Sequence, residues 1–434
     1  MDNLDAARLQ MAFTLMFHIV FACIGMVMPF FMVVAHKKWL NTKNPIYLKL
    51  TKSWQKGVAI FFVTGAVSGT ALSFELGLLW PEFMKHAGPI IGMPFSLEGA
   101  AFFVEAIALG FYLYGWNKIP EKFHWYMGLI VGISGVASGV LVVSANGWMN
   151  APSGFDYING EFLNIDPIKA LLNPAWFTQA LHMTLAAFTA TGFAVAGVHA
   201  FQIIRKRQIE LHKKAFKIAI TFGAIAAILQ PLSGDLSAKD IAKRQPVKLA
   251  TMEAHYETKQ GAPLYIGGIV DSEKKEVNYK IEIPNALSFL AFGDFDAEVK
   301  GLNDFPEDII PNVAITHYAF QIMVGIGTLL LLVGLLFFIS LKKKQWWQNH
   351  KFWLLFVALA PTGFIALEAG WIVTEVGRQP WIIHNIMKTK DAVTPMPGMV
   401  FSFYMYVVLY SILTTAVTWL MLRQIKALNN SELV

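Results

Sequence analysis

The sequence predicts an all-α polytopic membrane protein with nine transmembrane helices. It places the N-terminus outside, the C-terminus inside, and one long loop on the outer face. Three observations carry this. Nine long apolar stretches hold no Lys or Arg, apart from Lys217 at the edge of one. An uncharged apolar run longer than about 18 residues reads as a membrane helix. Hydrophobic residues make up 55% of the 434 and charged residues only 15%, whereas soluble domains carry about 25% charged residues. The basic residues also cluster at alternate helix ends.

The helices are expected at roughly 11–35, 58–80, 95–116, 125–148, 176–204, 216–235, 312–340, 352–374 and 397–421. The first run follows an acidic start, Asp2 and Asp5, and is too long for a signal core, so it reads as a retained helix. It holds Cys23, the single cysteine, which excludes an intrachain disulfide. The segments 36–56, 117–124, 205–215 with Lys217, 341–351 and the tail after 421 carry 20 of the 35 Lys and Arg residues. Outside the long loop the opposite side carries six: Arg8, Lys85, Lys169, Arg378, Lys388 and Lys390. Short loops rich in Lys and Arg stay inside, which sets the orientation. The net charge of +6 therefore reports topology, and no motif favours a nucleic-acid partner. The chain divides into helices 1–6 (1–235), an outer loop (236–311) and helices 7–9 (312–434). That loop contains apolar segments, Leu264–Ile269 and Leu287–Phe292, and a long loop with its own apolar content is usually functional.

Titratable groups inside apolar helices are expensive and mark function. His18 lies about two turns into helix 1, and His182 sits at similar depth in helix 5. Met323 matches them in helix 7. A lone His or Met on a helix is ordinarily a core residue. A His and a Met at matching depth on different helices are also the ligand set of a low-spin haem, whose potential the thioether raises. Glu98 and Glu105 are seven apart on helix 3, on one face and about 10 Å apart along the axis. They suit a proton relay or metal ligation; the alternative is a pair of neutral, hydrogen-bonded structural acids. Glu368 and Glu375 repeat that spacing on helix 8, with Glu375 at the outer end. Glu75 reads as interfacial. Arg378, in the stretch GRQPW (377–381), offers a fixed cation at the outer surface suited to a carboxylate, and Pro380 ends the helix there.

These residues resemble subunit I of the cytochrome bd-type quinol oxidases, along the whole chain. The marks are GRQPW at 377–381 preceded by EAGWIVTE at 368–375, and SLEGAAFFVEA around Glu98 and Glu105. The others are ANGWMNAP at 145–152, the surroundings of His18, and KLATMEAHYET at 248–258 in the outer loop. The resemblance implies a haem-bearing, electrogenic quinol:oxygen oxidoreductase of the bacterial plasma membrane. It implies a second membrane subunit (subunit II), a very small single-helix subunit, and quinol and O2 as substrates. The implied cofactors are a low-spin haem b, a high-spin haem b, and a haem d or a third haem b. By resemblance His182 and Met323 are axial ligands of the low-spin haem. His18 and Glu375 are ligands of the other two, with Glu98 beside or on one of them. Arg378 is implied among the residues at the haems. Glu105 fits a proton-relay position and Trp371 an aromatic bridge between haems. Lys248 and Glu253, in a loop segment read as solvated, match the quinol-binding residues.

In that scheme quinol is oxidised outside, protons for water formation come from inside along the Glu105/Glu98 face, and no pump is required. The outer loop matches the short-loop class, which includes cyanide-insensitive enzymes. Gln321 stands where many relatives carry Arg, removing a cation near the low-spin haem. Two other classes fit parts of the pattern. A proton-coupled transporter would use the Glu pairs without any chromophore. A haem b subunit of a quinone-linked dehydrogenase would need His182 and Met323 but not His18 and Glu375. The dithionite-reduced spectrum separates the three.

Overall fold

The computed structural model describes residues 1–430. Among them nine helical spans are long and apolar enough to cross a membrane, matching the nine expected. They are α1 (Asn3–Thr42), α2 (Pro45–Leu79), α3 (Pro81–Tyr114), α4 (Glu121–Asn150), α5 (Trp176–Ile204) and α6 (Ile209–Arg244). A short helix, α7 (Pro246–Glu253), precedes α8 (Val313–Lys342). The eighth span is split into α9 (His350–Leu359) and α10 (Thr362–Val376), and α11 (Met399–Asn430) is the ninth.

The fifth span keeps its expected bounds, and several others outrun their expected apolar cores, mostly at the N-terminal end, where capped polar turns extend them. Asp2 accepts a hydrogen bond from the Asp5 amide at 2.7 Å, Asn44 from Ile46 at 3.0 Å, and Asn312 from Ile315 at 3.0 Å. Such side-chain oxygens satisfy amides left open in the first turn. The sixth span runs on to Arg244, beyond its expected end near 235, since its last turns are polar and carry no apolar signal. The eighth span was expected to be continuous. It breaks at Ala360–Pro361 because Pro361 has no amide to donate.

Glycines set the closest helix approaches. A Cβ on Gly192 of α5 would come within 2.5 Å of the Gly223 Cα on α6. One on Gly363 of α10 would meet the Ala190 Cα at 2.6 Å, and one on Gly197 would meet the Ala360 Cβ at 2.5 Å. Small residues at these crossings let backbones touch, which is how membrane helices associate without a hydrophobic driving force. The main core lies among α1, α2, α5, α6, α8 and α9, filled by residues such as Phe31, Phe193, Phe216, Phe337 and Phe356. A second core, around Trp80, Phe83 and Trp148, seals the bundle end that carries the long loop.

The chain from 254 to 312 folds onto that end. Three small antiparallel ladders organise it: Leu264–Ile266 with Ile281–Ile283, Ile269–Asp271 with Glu276–Asn278, and Lys259–Gln260 with Glu298–Val299. Gln321 of α8 pins the loop, accepting from the Gly267 amide at 3.2 Å and donating to the Tyr265 carbonyl at 2.9 Å. Where an absent cation was expected to matter, the amide serves the loop backbone.

The helix contacts carry a direct test. Gly192→Val should force α5 away from α6 and destabilise the protein by about 1–3 kcal/mol, the usual range for overpacking. The thermal transition of the purified protein reads this out, and an unchanged transition would show that the crossing tolerates a side chain.

Candidate functional site

Where α4, α7 and α10 end together, a cluster of polar side chains is buried. Glu375, in the last turn of α10, accepts from Arg378 Nη2 at 2.5 Å and from Asn146 Nδ2 of α4 at 2.5 Å. Arg378 is 4% exposed, and its Nε and Nη1 are buried without partners. Lys248 of α7 donates to the Thr374 carbonyl at 3.2 Å and lies 3.4 Å from Asn150 Oδ1. Gln245 donates to the Asn150 carbonyl at 3.0 Å. Gly377 permits this packing, because a Cβ there would lie 3.2 Å from the Lys248 side chain. His384 joins the cluster with its amide on the Met149 carbonyl at 3.0 Å, and its Nδ1 is buried and unpartnered.

Burial governs the electrostatics here. It pushes Lys248 down to about 7, helped by the Arg378 charge and opposed by Glu375. His384 falls to about 4 through burial and the Lys248 and Arg378 charges. Glu253, at the other end of α7, is pushed up to about 8 by burial, and its Oε2 has no partner. Three expectations are corrected. Lys248 and Glu253 are each 4% exposed and belong to a buried helix, not a solvated segment. Arg378 is not a surface cation, since Glu375 draws it inside. Glu75 is not interfacial: it is 1% exposed and accepts from Gln10 at 2.8 Å and Thr14 at 3.0 Å.

Within the bundle three of the candidate haem ligands, His18, His182 and Met323, each pack on a glycine of a neighbouring helix. A Cβ on Gly69 would lie 3.0 Å from His18, on Gly234 3.6 Å from His182, and on Gly370 3.0 Å from Met323 Sδ. The two histidines share a second device. Nδ1 of His18 is 2.9 Å from Ser68 Oγ, and that hydroxyl donates to the Thr64 carbonyl at 2.8 Å. Nδ1 of His182 is 2.9 Å from Ser233 Oγ, which donates to the Gln230 carbonyl at 2.8 Å. A hydroxyl has one proton, so each serine accepts from Nδ1–H and leaves Nε2 with its lone pair. A fixed Nε2 lone pair is what a metal needs from imidazole. The residues therefore fit iron ligation, with one adjustment. The Gln230 amide nitrogen lies 3.2 Å from His182 Nε2 and must swing aside for an iron to approach.

Glu98 and Glu105 of α3 both face α4, as their spacing required. Ser138 donates to Glu98 at 2.8 Å, and Gly135 faces the Glu105 carboxyl, which a Cβ would approach to 3.5 Å. Both Glu368 oxygens are buried without partners. Trp371, one turn on, packs at the edge of the main core. Among the described residues no group of three or more His, Cys, Asp or Glu gathers to hold a bare metal ion.

The chain matches the description "Cytochrome bd terminal oxidase subunit I" over residues 6–429. It belongs to that family. It is 38% identical over 433 residues to a candidate cytochrome bd menaquinol oxidase subunit I of Bacillus subtilis (strain 168), covering 97% of this chain and 96% of the relative. It is 32% identical over 441 residues to the cytochrome bd ubiquinol oxidase subunit 1 of the same strain, covering 98% and 94%. The solved structure of the bd oxidase from Geobacillus thermodenitrificans is similar at a TM-score of 0.93, with 37% identity and 98% of each chain covered. A family match of this length sets aside the transporter and dehydrogenase readings.

Sequence reasoning did not single out Ser68, Ser233, Asn146, Asn150, Gln245 or His384. Asn146 and Asn150, four apart at the end of an apolar helix, carried a usable signal of a shared polar face. The other four carried none, because their roles come from contacts between distant segments.

The ion pair, with the Arg378 side chain 3% and the Glu375 side chain 30% exposed, makes a prediction. Glu375→Ala leaves Arg378 charged, buried and without its carboxylate, at a cost of about 3–5 kcal/mol. Adding Arg378→Met should recover part of the loss by removing the uncompensated charge. Thermal stability measures both, and a loss below about 1 kcal/mol would mean that the pair behaves as an exposed one.

Proposed function

We propose that this subunit oxidises quinol at the outer membrane face and supports reduction of O2 to water with protons drawn from the cytoplasm, so that charge separates without a pump. Membership of the family makes the chain a haem-bearing, multi-pass subunit of a plasma-membrane terminal oxidase. Its substrates are quinol and O2, and subunit II is its partner; a very small single-helix subunit completes the proposed assembly. The single observation that carries the reading is Lys248. The outer loop buries this side chain against the Glu375–Arg378 pair, joining the proposed quinol site to the proposed haem end of the bundle.

In this reading the long-loop end is the outer face, with the N-terminus outside, and the 254–312 segment with α7 forms the quinol site. His182 and Met323 would hold a low-spin haem b. His18 and Glu375 would serve a high-spin haem b and a haem d or third haem b, with Glu98 close to one of them. Arg378, with two unpartnered nitrogens, would meet a propionate carboxylate. When bound, haems pass single electrons and, where a coordination position is open, bind O2. The rest falls to side chains of this chain. Lys248 orients a quinol oxygen by donating a hydrogen bond. Glu253, buried and lacking a partner at Oε2, accepts a quinol proton. Trp371 would serve as an aromatic bridge between haems, and Glu105 hands protons towards Glu98 along the α3–α4 seam.

Two measurements test this. Met323→Leu preserves volume and apolarity, so the fold should survive while the low-spin haem b loses its thioether, changes its reduced spectrum and drops in potential. A wild-type spectrum and potential would assign Met323 to packing alone. The second concerns pH. Glu253 has a raised pKa, so it stays protonated below about 8 and offers a carboxylate only above it. Quinol-driven oxygen uptake at low quinol concentration should therefore rise with pH through about 8, and Glu253→Gln should lower and flatten the profile. An unchanged profile would place proton acceptance elsewhere, and a complex without quinol-driven oxygen uptake would overturn the functional reading itself.

A further inference from the structure

At the lysine-rich end of the bundle, α1, α3 and α4 enclose a second polar cluster that the proposed function does not use. Tyr112 is fully buried, and its Oη lies 2.8 Å from His36 Nδ1. His36 is itself 0% exposed, and its Nε2 has no partner. His124, 3% exposed, lies 2.7 Å from the Tyr112 carbonyl through Nε2, and its ring stacks on the Tyr112 ring at 4.5 Å. Trp39 and Trp116 wall the His36 ring, with centroids at 5.6 and 5.3 Å. Lys43 and Lys52 cap those two indoles at 4.7 and 5.3 Å. An unsatisfied buried imidazole nitrogen is costly, and its retention needs a reason.

The position supplies one. Tyr112 follows Glu105 by seven residues, as Glu105 follows Glu98, so the three share one face of α3. The partners on α4 confirm the alignment. A Cβ on Gly128 would sit 2.5 Å from the Tyr112 ring, Gly135 faces the Glu105 carboxyl, and Ser138 donates to Glu98. Side chains on a helix tilt towards its N-terminus, so Tyr112 leans towards Glu105 along this seam.

We propose that His36 and Tyr112, steadied by His124, form the inner mouth of the proton route that supplies Glu105. This rests on the reading of Glu105 as a relay. A proton from the inner aqueous side is taken up on His36 Nε2 while the Nδ1–H proton passes to Tyr112 Oη. The original Oη–H proton leaves towards Glu105 through bridging water. The imidazole then carries its proton on Nε2. Before the next transfer the ring must swing to present that N–H to Tyr112 Oη, because proton exchange in place would only reverse the step. No net charge stays on the pair, and no oxidant or co-reactant is needed.

The test uses the complete oxidase with its haems and partner subunit. Steady-state oxygen uptake at saturating quinol is measured in H2O and D2O for Tyr112→Phe, His36→Gln and Glu105→Gln, with the reduced haem spectrum as the check on assembly. Tyr112→Phe keeps the ring and the stack on His124 but cannot pass a proton. The inference expects Tyr112→Phe and His36→Gln to slow uptake by about a hundredfold or more, the lower end of the range for losing a proton-transfer group. It also expects a wild-type haem spectrum and a larger solvent isotope effect, which a merely structural defect would not produce. Wild-type rates in both variants beside a slow Glu105→Gln would overturn the inner mouth and leave the Glu105 route standing. Wild-type rates in all three would overturn the route as well. Slow uptake with an unchanged isotope effect assigns the cluster to packing and also overturns the inference. If Tyr112→Phe does not assemble with haem, His36→Gln decides alone by the same criteria.

Discussion

A charge taken out of water has to find its partner inside the protein, and Arg378 meets that constraint through Glu375. An isolated buried ion would be prohibitive, whereas a paired one with further hydrogen bonds is tolerable. Asn146 supplies a further hydrogen bond to the carboxylate. Lys248 brings a second cation to the same place, with Asn150 and the Thr374 carbonyl as its partners. The end of α4, the end of α10 and the loop helix α7 are thereby held in one arrangement. The 254–312 segment that follows α7 is fastened separately, through Gln321 and the three small ladders.

The same economy runs through the bundle. No hydrophobic driving force separates lipid from a leucine-rich helix face, so helix contacts depend on close packing and on hydrogen bonds. Glycines at 192, 197, 223 and 363 supply the first. They also make room for candidate ligands, since Gly69, Gly234 and Gly370 face His18, His182 and Met323. Serines at the Nδ1 positions supply the second, setting which imidazole nitrogen carries a lone pair. Structural packing and haem chemistry are thus read from one set of small residues.

Polar residues divide between the two ends of the bundle. The long-loop end gathers Lys248, Arg378, Glu375 and His384, and the lysine-rich end gathers His36, Tyr112 and His124. Glu105 and Glu98 lie along the seam between them. A two-ended arrangement is what the proposed release of protons on one face and uptake on the other would use. The α3–α4 seam is the feature of the fold that joins the ends.

The sequence by itself determined the number and order of the spans, since length and the absence of charge are local properties that survive any packing. It also determined that Glu98 and Glu105 share a face, because helix periodicity is local too. The candidate residues His18, His182, Met323 and Glu375 were legible as groups too expensive to hold in lipid without a purpose. Tertiary structure alone decided that Lys248 and Arg378 are buried, for a charged side chain looks the same in sequence whether water or a carboxylate awaits it. The break at Pro361 was not expected from the apolar pattern, although proline's missing amide is a local property, and the fit of Ala360 against Gly197 is a matter of packing. The contacts Ser68–His18, Ser233–His182 and His36–Tyr112 join residues 50, 51 and 76 positions apart. Such pairs follow from how helices pack against one another, which no local pattern of residues records.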